Sequence, residues 1–226
     1  LWKSDGTEAG TVLVKDINVG GVFHSAPQHL TEVNGTLFFS AKDGPDDTHG
    51  RELWKSDGTE AGTILFKDIN VGSDGSSPQH LTEVNGTLFF SADDGTHGQE
   101  LWAMESSWWP GWEPEPYLVK DILPGEASSR PRSFTAFDDR IFFWVDDGTG
   151  GEELWATDGT QAGTCLISDK QAPARYEPTA FGSPIKGALF LWTRTSINSP
   201  YLLYALRPHD LPPADLRGKI LHRLDA

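Results

Sequence analysis

One phrase of roughly fifty residues recurs along this chain. Leu1-Trp2-Lys3-Ser4-Asp5-Gly6-Thr7 returns as Leu53-Trp54-Lys55-Ser56-Asp57-Gly58-Thr59 and again as Leu154-Trp155-Ala156-Thr157-Asp158-Gly159-Thr160. The text between also repeats: Gln28 to Ala41 and Gln79 to Ala92 share the string Gln-His-Leu-Thr-Glu-Val-Asn-Gly-Thr-Leu-Phe-Phe-Ser-Ala. The anchor aromatics Trp2, Trp54, Trp102, Trp155 and Tyr204 lie 52, 48, 53 and 49 residues apart. A fixed period of this length means one supersecondary unit stacked on its own copies, because a single unit cannot bury its apolar face alone. Residues present in every copy are then expected to serve the fold before they serve any chemistry.

Within one copy the local signals are those of strands. Gln79 to Asn85 ends in Asn85-Gly86, a dipeptide whose two residues accept positive φ and so close tight hairpins. Thr87 to Ala92 follows, and its Leu88-Phe89-Phe90 run is apolar on both faces, as a strand covered on both sides should be. Glu100-Leu101-Trp102 opens a third strand. In intact copies that strand ends in Asp-Gly-Thr, where the carboxylate can accept backbone N–H bonds two residues on and the glycine takes the left-handed conformation. A fourth strand is expected over Thr63 to Ile69, Thr11 to Ile17 and Tyr117 to Ile122, with Asn70 to Ser77 crossing to the next copy. Cys165 falls where other copies have Val12 or Ile64 and reads as a small buried apolar residue; as the sole cysteine it excludes an internal disulfide. The repeated tryptophans, standing at one register, read as wedges between sheets, and His29 and His80 as first-strand residues.

These elements predict an all-β fold, a β-propeller of four-stranded antiparallel blades. The expected organisation is an outer half blade over 1–17, blades over 27–69, 78–122 (with a Trp/Pro-rich insertion at 103–116) and 131–168, and a degenerate C-terminal blade over 178–224. Leu1 stands in mid-repeat, which points to four whole blades plus an N-terminal half blade, part of a larger ring or a compact ring of five positions. Strands are expected to run from inside to outside in chain order. The register resembles kelch repeats. Glu52-Leu53-Trp54-Lys55-Ser56-Asp57-Gly58-Thr59-Glu60-Ala61-Gly62-Thr63, and its counterpart from Glu153 to Thr164, more closely resemble the bacterial repeat family named for the consensus Glu-Leu-Trp-x-x-Asp-Gly-Thr. That resemblance extends from Leu1 to about Leu224. It implies a propeller fold and an extracellular or cell-surface setting, and no particular chemistry.

Acidic residues outnumber basic ones 33 to 18, a net charge of −15. Such a surface repels phosphate backbones, so nucleic acid is not an expected partner. No stretch is long and apolar enough to span a bilayer as a helix. The acid is concentrated in loops at one end of the expected sheets: Asp43, Asp46, Asp47, Asp93, Asp94, Asp146 and Asp147. Carboxylates and loop carbonyls are the oxygen ligands Ca²⁺ takes, which makes Ca²⁺ the candidate cofactor. Asp and Gly are also what tight turns require, and no loop has EF-hand spacing. His49 and His97 sit in matching acidic loops. At the opposite end the copy after Leu101-Trp102 lacks its Asp-Gly-Thr turn and carries Ala103 to Pro116 instead. Trp108, Trp109 and Trp112 in that excursion are the candidate ligand-binding residues, since indole rings stack on sugars and anchor protein interfaces.

No nucleophile–base motif, phosphate-binding glycine loop or zinc-spaced Cys/His cluster is present. The sequence thus favours a non-catalytic binding or scaffolding module, secreted or surface-exposed, that recognises a protein or glycan through its loops. The alternative is a carbohydrate-active propeller hydrolase or lyase with its site on the acidic loop face. The blade count of any parent, the oligomeric state and the ligand are not encoded in these features.

Overall fold

The computed structural model describes residues 1–20, 24–44, 48–106, 114–148, 151–167, 188–193, 202–206 and 222–223. Every regular element among them is a strand, and the strands form antiparallel sheets of two to four members in strict chain order. The first sheet pairs β1 (Trp2–Lys3) with β2 (Val12–Leu13). The second runs β3 (Gln28–Val33), β4 (Thr36–Lys42), β5 (Arg51–Ser56), β6 (Ile64–Lys67). The third runs β7 (Gln79–Val84), β8 (Thr87–Asp93), β9 (Gln99–Glu105), β10 (Tyr117–Lys120). The fourth runs β11 (Arg132–Phe137), β12 (Arg140–Asp146), β13 (Glu152–Thr157), β14 (Cys165–Leu166). The fifth comprises β15 (Leu189–Thr193), β16 (Leu202–Leu206) and β17 (His222–Arg223).

The hairpins form as the Asn-Gly signal demands. Asn34 and Gly35 have φ of 49° and 84°, and Asn85 and Gly86 have 51° and 83°, the doubly positive turn whose twist matches its flanking strands. The fourth strands are shorter than expected: β2, β6 and β10 stop at Leu13, Lys67 and Lys120. Being edge strands, they have a partner on one side only, and β6 and β10 shift register there.

The Phe-Phe dipeptide shows how the sheets combine. Neighbours in a strand point to opposite faces, so one Phe of each pair enters the core shared with the preceding sheet and the other the core shared with the next. Phe90 joins Leu88, Leu81 and Met104 against Val33, Phe38 and Leu53 of the second sheet. Phe89 joins Val84, Leu101, Ala103 and Val119 against Ile141, Phe143 and Val145 of the fourth. Phe39 and Trp54 meet Ile17 and Leu1, and Phe142, Trp144 and Ile167 meet Leu189. The interior is therefore four cores laid between successive sheets. Trp54, Trp102 and Trp155 each join the core shared with the sheet before, the wedge position expected from their register. Cys165 is half-buried beside the core shared by the fourth and fifth sheets. The first strands β3, β7 and β11 adjoin one another.

A second contact clasps the first sheet to the second and the third to the fourth. Lys15 Nζ donates to the carbonyl oxygens of Thr63 (2.8 Å) and Glu60 (3.3 Å), and Lys3 Nζ to that of Gly58 (2.9 Å). Two sheets on, Lys120 Nζ donates to Thr164 O (3.1 Å) and Tyr117 Oη to Gly159 O (3.3 Å). Each time, donors from one sheet hold the Asp-Gly-Thr turn of the following one. The third sheet lacks that turn, and Lys67, the equivalent of Lys15, pairs with the Glu115 carboxylate instead.

Candidate functional site

Two ends of the sheets and one row of first strands carry the residues that could do chemistry. At the end where the Asn-Gly hairpins lie, the Asp-Gly-Thr turns are held by their own carboxylates. Asp57 Oδ1 accepts from Thr59 N–H (2.8 Å) and Thr59 Oγ1 (2.7 Å), and Asp5 and Asp158 repeat the arrangement. These bonds hold the Asp5 and Asp57 carboxyls below the usual carboxylate range. The following glycine is required for a steric reason, since a Cβ on Gly62 would fall on the Asp57 carboxylate. Trp108, Trp109 and Trp112, the candidate ligand-binding residues at this end, lie outside the described residues.

At the opposite end lie the acidic loops. Asp93 Oδ1 accepts from Gly95 N–H (2.8 Å) and Asp146 Oδ1 from Gly148 N–H (2.9 Å). Asp94 Oδ1 accepts from the N–H groups of Thr96 (2.9 Å) and His97 (2.8 Å), and its Oδ2 meets His97 Nδ1 at 2.8 Å. Asp43 makes the equivalent pair with His49 Nδ1. Hydrogen bonding to these carboxylates raises the pKa of both imidazoles, with Asp68 adding to the field at His49 and Asp121 at His97. Asp147 sits beside Asp146 in the third of these loops, while Asp46 and Asp47 lie outside the described residues. Among the described residues no three His, Cys, Asp or Glu side chains are gathered where they could hold a metal ion together. Asp93, Asp94 and Asp146 close turns, and Asp43 and Asp94 engage histidines.

The third location was not foreseen in the strand pattern. His29, His80 and Ser133 occupy one register of the first strands and have φ of 54°, 57° and 55°. Each sits where pairing with the second strand shifts, so the positive φ marks a bulge that re-aims the side chain. The His29 and His80 rings stand 5.8 Å apart, and His80 lies 6.0 Å from the Phe134 ring. Burial lowers both imidazole pKa values, helped by the Arg51 charge at His29 and by His29 and Arg132 at His80.

Sequence reasoning also missed the role of the glutamate that precedes Leu-Trp. Glu52 and Glu100 are fully buried. Glu52 accepts from the N–H groups of Ile69 (3.0 Å), Asn70 (3.2 Å) and Ser76 (2.6 Å) and from Ser76 Oγ (2.5 Å). Glu100 does the same for Ile122, Leu123 and both donors of Ser129. Each carboxylate thereby fastens both ends of the crossing segment to the sheet it leaves. Desolvation raises both pKa values, opposed by the hydrogen bonds. The available signal was a carboxylate recurring beside an invariably apolar pair.

Set against known proteins, the chain matches no protein-family model and no curated protein. Its functional reading therefore rests on its own residues.

Proposed function

We propose that the sheets are blades of a β-propeller of the Glu-Leu-Trp-x-x-Asp-Gly-Thr repeat type, serving as a non-catalytic binding or scaffolding module of a secreted or surface-exposed protein. Its loops recognise a protein or glycan partner. The propeller reading is supported by the adjoining first strands, by the core between each successive pair of sheets and by the sequence resemblance. One observation carries the functional reading: the polar groups repeated from copy to copy are engaged in holding the fold together. Glu52 and Glu100 bind crossing segments, Asp57 and Asp158 bind turns, and Asp94 closes its own loop. The largest departure from the repeat follows β9: the expected insertion at 103–116 begins only after its first three residues, since Ala103 to Glu105 complete that strand. A rigid frame with variable loops is the usual architecture of a recognition module.

The test is to screen the immobilised chain against a glycan array and a surface-protein library, with Trp108→Ala as the companion variant. Saturable binding to one class, weakened in the variant, is expected. Turnover of a glycan substrate without added enzyme would overturn the non-catalytic reading, and absence of saturable binding to both classes would overturn the recognition reading.

A further inference from the structure

The string Gln-His-Leu-Thr-Glu-Val-Asn-Gly-Thr-Leu-Phe-Phe-Ser-Ala stands at 28–41 and again at 79–92, so any difference between the two copies is one of surroundings. Both close the same hairpin, with exposed asparagines at φ of 49° and 51°. In both, the N–H of the following glycine donates to the glutamate two residues before the asparagine: Gly35 to Glu32, and Gly86 to Glu83 Oε1 at 2.7 Å. The asparagine side chains are treated differently. Asn34 Nδ2 reaches across to the third sheet and donates to Ser106 Oγ at 2.7 Å. Ser106 is buried, and its Oγ donates in turn to the Gly86 carbonyl oxygen. Asn85 has no such tie; among the described residues its side chain makes no hydrogen bond. The cause lies in the sheet it faces. Leu101-Trp102-Ala103-Met104-Glu105-Ser106 corresponds to Leu154-Trp155-Ala156-Thr157-Asp158-Gly159, so the register that gives Asn34 a hydroxyl gives Asn85 a residue without a side chain.

We propose that Asn85-Gly86 is a site of spontaneous deamidation to aspartate and isoaspartate, and that Ser106 protects Asn34-Gly35 from the same reaction. The Gly86 nitrogen attacks Asn85 Cγ. The new N–Cγ bond closes a five-membered imide as the Cγ–Nδ2 bond breaks, and the glycine proton, already shared with Glu83, leaves on the departing nitrogen as ammonia. Water then opens the imide at either carbonyl. Glycine permits the attack because it sets no side chain beside the nucleophilic nitrogen. At Asn34 the leaving nitrogen is bonded to Ser106, and the amide must release that bond before its carbon can turn to Gly35. The fold accepts the aspartyl product, since Asp138 holds the same hairpin position in the fourth sheet at φ 59°. The isoaspartyl product inserts one more backbone atom just before Gly86, whose carbonyl oxygen holds both the N–H and the Oγ of Ser106. Conversion at Asn85 therefore bears on the point where the chain leaves β9. The chemistry is independent of what the loops recognise.

The test holds the full chain in mildly alkaline buffer at body temperature and follows both sites by peptide mapping, with electron-transfer fragmentation to separate aspartate from isoaspartate. Asn85 should convert about fivefold or more faster than Asn34, the factor one intramolecular hydrogen bond supplies. In denaturant the two rates should become equal, because the flanking sequences are the same. Ser106→Ala, with far-UV circular dichroism unchanged, should raise the Asn34 rate toward that of Asn85. Equal rates in the folded chain would overturn the proposal, as would conversion of both sites in denaturant alone. An unchanged Asn34 rate in folded Ser106→Ala would remove the protective role of Ser106. The comparison of folded with denatured chain needs no variant and decides the matter even where Ser106→Ala fails to fold.

Discussion

At the scale of single residues, carboxylates decide most of what holds this molecule together, and they do so in opposite senses. Glu52 is buried and its pKa is raised by desolvation. The folded state therefore holds its proton more tightly than the unfolded chain, and the group's stabilising contribution falls as pH rises from the unfolded glutamate value through the folded one. Asp57 is exposed and its pKa is lowered by Thr59. Its contribution is present above the unfolded aspartate value and is lost as pH falls through the folded one. Carboxyl-carbon NMR titration should place Glu52 and Glu100 above ordinary glutamate and Asp57 below ordinary aspartate. Replacing Glu52 by Ala leaves one buried and two half-buried N–H groups without their acceptor and should cost about 3 kcal/mol in urea unfolding. The conflict between Gly62 and Asp57 gives a sharper test. Gly62→Ala should destabilise, and the loss should shrink in the Asp57→Ala background, where the displaced carboxylate is gone.

At the scale of strands and turns, much was legible because the deciding residues are local. Asn34-Gly35 and Asn85-Gly86 fix their hairpins through φ alone, and Leu88-Phe89-Phe90 announces two-sided burial because alternate side chains need two cores. The bulges at His29, His80 and Ser133 were not legible, since positive φ there falls on residues with no glycine-like signature. The role of Glu52 was hidden for a related reason: its donors come from Ile69, Asn70 and Ser76, which only the crossing brings near. The loop aspartates were legible as turn residues, but sequence could not tell whether their remaining oxygens would converge. The tryptophans belong to this scale because each seals two sheets. Trp54→Ala should cost about 3–5 kcal/mol by chemical denaturation. Exchange protection should drop most in the first and second sheets, which share the Trp54 core.

At the scale of the whole molecule, stability is distributed over successive interfaces rather than gathered in one core, as in other repeat architectures. The net charge works against it. With 33 acidic and 18 basic residues, mutual repulsion opposes compaction. Raising NaCl from about 20 to 300 mM shortens the Debye length below typical loop spacings, and the thermal midpoint should rise. A flat salt response would mean that the Asp43–His49 and Asp94–His97 pairs already neutralise the repulsion locally.

The exchange of partners at Lys67 has a wider consequence. Lys15 and Lys120 grip main-chain oxygens, which any turn supplies; Lys67 of the second sheet grips Glu115, a side chain of the segment that replaces the turn in the third, and β10 still pairs with β9. The turn end is thus a splice point. New sequence can be written there without redrafting the frame, so binding specificity can diverge, in nature or by engineering, independently of the architecture that displays it.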